Sequence, residues 1–212
     1  MRIDVWSDLV CPWCYIGKRR LEHALAQMPD APEVEIVFRS FQLNPAAPKD
    51  ETSKRREYLK AKYGWSDTQA AKIDRDMEAR AAADGLEYHL SDAGLTGNTF
   101  DAHRLVHLAR ERGREDAAVE RLFRAYFTEQ RSLFDRESLV PLAVEAGLDG
   151  EEARRVLDGN DYGHAVEQDL AEARLLGVTG VPFFVFDHRL GLSGAQPLDV
   201  FVDAITQART SA

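Results

Sequence analysis

The stretch WSDLVCPWCYIGKRRLEHAL, residues 6–25, carries Cys11 and Cys14, the two cysteines of this 212-residue chain. What flanks the pair decides how it is read. Upstream, RIDVW (2–6) places apolar Ile3 and Val5 in alternation, followed by Trp6, and reads as a strand. Downstream, CYIGKRRLEHALAQM (14–28) sets Tyr15, Leu21, Leu25 and Met28 at mostly helical separations. The cysteines therefore fall at a strand-to-helix junction. Pro12 suits the first helical turn, since it lacks an amide hydrogen that would go unpaired there and its φ is already helical. After PDAP (29–32), the run VEIVFRSF (34–41) reads as a second strand, giving a βαβ start with an expected right-handed connection.

From about residue 49 to 176 the character changes. Helix-period stretches run over 54–64, 67–85, 99–113, 115–130, 136–147, 150–159 and 162–177, rich in Ala, Glu, Arg and Leu. Gly64, Gly85, Gly113, Gly147, Gly159 and Gly177 close most of them where a left-handed C-cap is expected, and Asp67 and Asn98 are the expected N-caps. Pro141 is expected to kink its helix or shorten it. Past Gly177 the pattern reverts: VPFFVF (181–186) is a strand, DHR (187–189) a tight turn, LGLSG (190–194) a short strand and PLDVFVDAITQAR (197–209) a final helix. A βαβ head and a ββα tail around a helical block predict one α/β domain carrying an inserted all-helical domain, because neither end alone makes a covered sheet.

Composition narrows the function classes. With 44% hydrophobic residues, the chain can bury a core without a disulfide staple, which leaves the cysteine pair available for chemistry. The formal net charge of −9 opposes binding to nucleic acid or an anionic membrane surface. The basic cluster SKRREYLKAK (53–62) reads as a solvated helix face. Met1 leads straight into RIDVW with no basic, apolar or cleavage region of a leader, and no uncharged run approaches the roughly 18 residues of a membrane span. The expected location is the cytoplasm, where a CxxC pair points to redox or metal chemistry.

These features resemble a known family. CPWC at the first strand-helix junction, GVTGVPFFVF opening the second β unit and the helical insertion between the halves are similar to the DsbA-like branch of the thioredoxin superfamily, most closely its cytoplasmic FrnE-type oxidoreductases, over essentially the whole chain. The resemblance implies a thioredoxin-like domain formed by residues 1–48 and 177–212, with residues 49–176 inserted. It also implies that Pro182 is cis and faces the cysteines, and that the Val181 backbone pairs with an extended substrate peptide. Trp13 stands where DsbA itself has histidine between the active-site cysteines, and the dipeptide Pro12-Trp13 helps set thiolate stability and reduction potential.

The chemistry expected of the pair follows from the helix. Cys11, at the positive end of the helix dipole, is the attacking thiolate; Cys14, one turn further in and more buried, resolves the mixed disulfide. This predicts a thiol-disulfide oxidoreductase acting on protein or peptide disulfides, with no cofactor and with glutathione as a candidate co-substrate. The competing function is a glutathione-dependent transferase or isomerase, as in the related kappa-class glutathione transferases and 2-hydroxychromene-2-carboxylate isomerases. In those relatives a comparable helix faces the thiol site, making Asn98, Thr99 and His103 candidate cleft residues beside the plainer reading of a cap and a core histidine. Phe41–Pro45 and Ser193–Pro197 are candidate cleft walls, and Asp8 reads as a solvated loop acid or a proton relay. Zinc on Cys11, Cys14, His103 and His107 is the third reading. It is disfavoured because the gap between the pairs far exceeds the roughly dozen residues of a zinc finger.

Overall fold

The structure, a computed structural model, describes residues 1–28, 33–49, 51–90 and 94–210. The PDAP connection lies outside the described residues. In chain order the elements are β1 (Arg2–Ser7), α1 (Pro12–Ala26), β2 (Glu35–Ser40), β3 (Ser53–Lys54), α2 (Arg55–Tyr63), α3 (Asp67–Ala83), β4 (Leu95–Thr96), α4 (Phe100–Glu111), α5 (Glu115–Phe127), α6 (Arg136–Glu145), α7 (Gly150–Asp158), α8 (Gly163–Leu175), β5 (Phe183–Phe186), β6 (Leu190–Ser193) and α9 (Leu198–Thr210). They divide into two compact units, residues 1–43 with 166–212, and residues 44–165.

The first unit is a thioredoxin-like α/β fold around a four-stranded sheet of order β2-β1-β5-β6. β2 runs parallel to β1, from Arg2↔Glu35 to Ser7↔Ser40. β5 runs antiparallel to β1, from Ile3↔Phe186 to Trp6↔Phe183, and β6 antiparallel to β5. The β5–β6 turn takes positive φ at Asp187 and His188, the geometry whose twist matches that of the flanking strands. Strand alternation gives the sheet two faces. On one, Ile3, Val5, Phe184 and Phe186 are buried, and Phe184 meets Phe201 of α9 edge-on at 4.9 Å. On the other, Trp6 packs with Ala173 and Val178, flanked by Phe41, Val181, Phe183 and Val185.

That second face also holds buried charge. Arg39 donates to Asp4 at 2.8 Å and to Asp169 of α8 at 2.9 Å, while the backbone N–H of Ser40 and the Trp6 indole reach the Asp169 carboxylate and carbonyl at 2.8 and 3.1 Å. Asp4 and Asp169 are almost wholly buried. These bonds fasten α8 to the sheet, which explains a shifted boundary. The sequence reading began the returning segment at 177, whereas residues from 166 onward belong to the sheet unit.

Among its described residues, the second unit, residues 44–165, is helical apart from one feature that periodicity did not reveal. Ser53–Lys54 pairs antiparallel with Leu95–Thr96, a ladder too short to carry a strand pattern. Two expected caps also move by one residue. Ser66, not Asp67, caps α3 in a reciprocal capping box with Gln69; Thr99 takes the N-cap position of α4, while Asn98 accepts from the Phe100 amide at 2.9 Å. Gly64, Gly85, Gly113, Gly147 and Gly177 have positive φ, but Gly159 does not, its φ being −95°. Pro141 is contained in the ten-residue α6. Arg104, almost fully buried, donates to the carbonyls of Val156, Gly159 and Asp161, binding α4 to the end of α7.

Burial pushes the Asp4 carboxyl up, but hydrogen bonds from Arg2 and Arg39 outweigh it and hold it below the usual carboxylate range. The stabilisation this represents is complete above the unfolded pKa of about 3.9 and is lost as pH falls through the lower folded value. Arg39→Met, which leaves two buried carboxylates short of a partner, is expected to cost about 3 kcal/mol at neutral pH. Denaturant unfolding from pH 7 down to about pH 3 should show that deficit shrinking as Asp4 protonates.

Candidate active site

Cys11 is the N-cap of α1, with φ −88° and ψ 113°, and Pro12 opens the helix. The turn is set by its own backbone: the Cys11 amide donates to Asp8 O and the Cys14 amide to Cys11 O, both at 3.0 Å. No acidic side chain sits in the first turn of α1, and Cys11 stands at the positive end of its dipole. The Cys11 thiol donates to Val181 O at 3.5 Å. The Val181–Pro182 peptide bond is cis, and the Pro182 carbonyl accepts from Gly194 N at 2.8 Å. Both thiols are free and buried, while Pro12 and Trp13 between them are half-buried.

The two sulfurs have unequal surroundings. Burial pushes the Cys14 thiol well above its ordinary pKa, and its hydrogen bond with Cys11 adds to the rise; the Ser7 hydroxyl and the Asp8 backbone amide offset part of it. Asp8 is not the solvated acid its loop position suggested. It is 1% exposed, and its carboxylate accepts from Leu43 N at 2.7 Å. Its backbone therefore serves both cysteines while its side chain anchors the segment after β2. Ser7 is the neighbour that sequence reasoning missed; its position at the end of the strand leading into CPWC was the available signal.

The structure thus brings Cys11, Cys14, Val181 and Pro182 together. Of the candidate walls, Phe41 packs against the Trp6 cluster that Val181 also joins. The Ser193–Pro197 stretch is tied to α1 by Arg20, which donates to Ala195 O at 2.7 Å and Gln196 O at 3.2 Å. Asn98, Thr99 and His103 belong to the helical unit, where the Asn98 amide donates to Ala47 O at 2.7 Å and the His103 backbone to Thr99 O at 3.0 Å. Thr99 and His103 are buried there. His107 Nδ1 accepts from Arg110 at 3.3 Å. Among the described residues no three of His, Cys, Asp and Glu gather as a metal site, and no helix among them is long and apolar enough to cross a membrane.

A pair of thiols at the head of α1, set against the segment that enters β5 of this sheet, defines a thiol centre on a thioredoxin fold. Residues 2–206 match the family described as DSBA-like thioredoxin domain, and the chain belongs to it. A probable DsbA oxidoreductase from Streptomyces coelicolor, solved by crystallography, is 50% identical, with a TM-score of 0.96 over 100% of this chain and 91% of that one. The protein YwbO of Bacillus subtilis is 28% identical over 97% of this chain and 96% of its own length. A 2-hydroxychromene-2-carboxylate isomerase, 19% identical, shares the fold with a TM-score of 0.73 over 100% of this chain and 97% of that one.

Because Cys14 is held in its protonated form by burial, iodoacetamide at neutral pH is expected to label Cys11 first, read by peptide mass spectrometry over time. Equal labelling rates would remove the distinction between the two sulfurs.

Proposed function

We propose that this protein is a thiol-disulfide oxidoreductase of the cytoplasm acting on protein or peptide disulfides, with Cys11 as nucleophile and Cys14 as resolving thiol. The observation that carries this reading is the pairing of two free thiols at the start of α1 with Cys11 Sγ 3.5 Å from Val181 O. Cys11 thiolate attacks one sulfur of a substrate disulfide; a Cys11–substrate bond forms and the other substrate sulfur leaves as thiolate. Cys14, on losing its proton, attacks Cys11 Sγ, releasing the second substrate thiolate and leaving a Cys11–Cys14 disulfide. Two electrons have then passed to the substrate. An external dithiol or two glutathione molecules restore the pair, and the same steps reversed oxidise a substrate.

Val181 supplies the substrate platform in this reading. When Cys11 is engaged with substrate, its hydrogen bond to the Val181 carbonyl is given up, leaving that oxygen to accept from an extended peptide. Burial raises the Cys14 pKa most, and the mixed disulfide, by replacing the neighbouring thiol, removes the Cys11 contribution to that rise and so favours its ionisation at the resolving step. The steps need no cofactor or metal beyond the thiols and the external reductant.

A glutathione-dependent isomerase or transferase would use the same fold but has no role for a resolving thiol, so Cys14 separates the two functions. Cys14→Ser is expected to accumulate mixed disulfides with protein partners, detected on non-reducing gels and by mass spectrometry. It should also lose at least about 90% of its insulin-reducing activity, since resolution then waits for an external thiol. Cys11→Ser should lose activity and trap nothing. Full glutathione-dependent turnover of a small electrophile by Cys14→Ser, with no trapped protein, would overturn the assignment in favour of the isomerase or transferase.

A further inference from the structure

Gly17 lies inside α1, one turn past Cys14, with no positive φ to require a glycine. In a helix interior glycine costs about 1 kcal/mol relative to alanine, so local structure gives no reason for it. The reason is across the sheet. A Cβ at this position would lie 2.9 Å from Pro182 Cγ, 3.1 Å from Phe184 Cζ and 3.5 Å from Pro182 Cβ. Carbon atoms pack at about 3.5–4.0 Å, so a methyl group would require a separation of about half an ångström.

Neither side of the contact gives way easily. The Pro182 ring can answer only by a change of pucker, which leaves the Phe184 contact in place, and its carbonyl is held by Gly194 N. Phe184 is fully buried and braced edge-on by Phe201. On the opposite side, Arg20 ties α1 to the carbonyls of Ala195 and Gln196. The strain of an added methyl therefore falls on the spacing between α1 and the Val181–Pro182 segment, the same spacing that sets Cys11 Sγ against Val181 O.

Building on the disulfide-exchange reading, we propose that Gly17 is a positioning residue: its missing side chain holds the helix bearing the thiols at the distance from Val181–Pro182 that substrate peptides require. The residue touches no substrate. It acts through Pro182, and what it governs is capture of an extended peptide rather than the intrinsic reactivity of Cys11.

The test compares Gly17→Ala in the wild-type and Pro182→Ala backgrounds, in the full chain, with two substrates: a peptide disulfide and a small aromatic disulfide that needs no backbone pairing. In the wild-type background Gly17→Ala is expected to raise KM for the peptide about tenfold, with kcat and the small-disulfide rate within about twofold. In the Pro182→Ala background the further rise in KM should fall to about threefold or less, the non-additivity of residues acting through one contact. An unchanged KM, an equal rise in both backgrounds, or a parallel loss with both substrates would overturn the proposal. If Gly17→Ala fails to fold, recovery of folding on adding Pro182→Ala supports it and failure to recover overturns it. If the wild-type protein reduces no peptide disulfide, the disulfide-exchange reading falls by itself. Gly17 is then judged by whether Pro182→Ala relieves the loss of thermal stability caused by Gly17→Ala.

Discussion

Cys11 Sγ and Val181 O meet although 170 residues separate them in the chain. The antiparallel register of β1 and β5 makes this possible: Trp6 stands opposite Phe183, so the exit of β1 and the entry to β5 lie at one end of the sheet. The segments that leave and enter there, CPWC and Val181–Pro182, are brought side by side by strand pairing before any side chain at the site is considered. α1 packs on α9, and β5 pairs with β1 and β6, yet the candidate site exists only in the gap between α1 and the segment entering β5. Gly17 allows that gap to be as narrow as it is, since a Cβ there would press on Pro182 and Phe184.

The chemistry draws on a difference in environment between two identical side chains. Cys11 occupies the head of the helix, where partial positive charge from unpaired amides accumulates. Cys14 is one turn deeper, and burial works against its ionisation more strongly than the Ser7 hydroxyl and the Asp8 amide favour it. In the proposed exchange, the more buried of the two sulfurs is the one that acts second. Asp8 links this arrangement to β2 through the Leu43 amide, so the loop that presents both cysteines is braced from the adjacent strand as well as from within.

On the opposite face of the sheet the same unit relies on charge where an apolar contact would be the usual choice. Arg39 bridges Asp4 and Asp169, and Asp169 also accepts from Ser40 N. Buried ion pairs seldom add much stability over hydrophobic residues of equal size, but breaking one is costly. Their directional bonds fix which turn of α8 lies over β1 and β2. Through Ala173, Val178 and Val181, which pack in one cluster around Trp6, this anchoring extends to the segment that enters β5.

The sequence by itself determined the order of the helices and of the four strands of the main sheet, the βαβ head and ββα tail, and the cysteine pair at a strand-helix junction, but not the short ladder between residues 53–54 and 95–96. Those signals are local: side-chain period, proline at a first turn, glycine after a last one. It also pointed to Val181–Pro182, but through resemblance rather than through any pattern in the residues. Other features were decided by the tertiary structure alone. Asp8 looked like a solvated acid and is buried, because its partner amide belongs to residue 43. The boundary near residue 176 moved to 166 because Asp169 finds Arg39, 130 positions away. Gly17 carried no meaning in a helical pattern until Pro182 stood 2.9 Å from where its Cβ would be. Periodicity reports which way a residue faces, and strand register decides what it faces; the second is a long-range fact that no window of sequence contains.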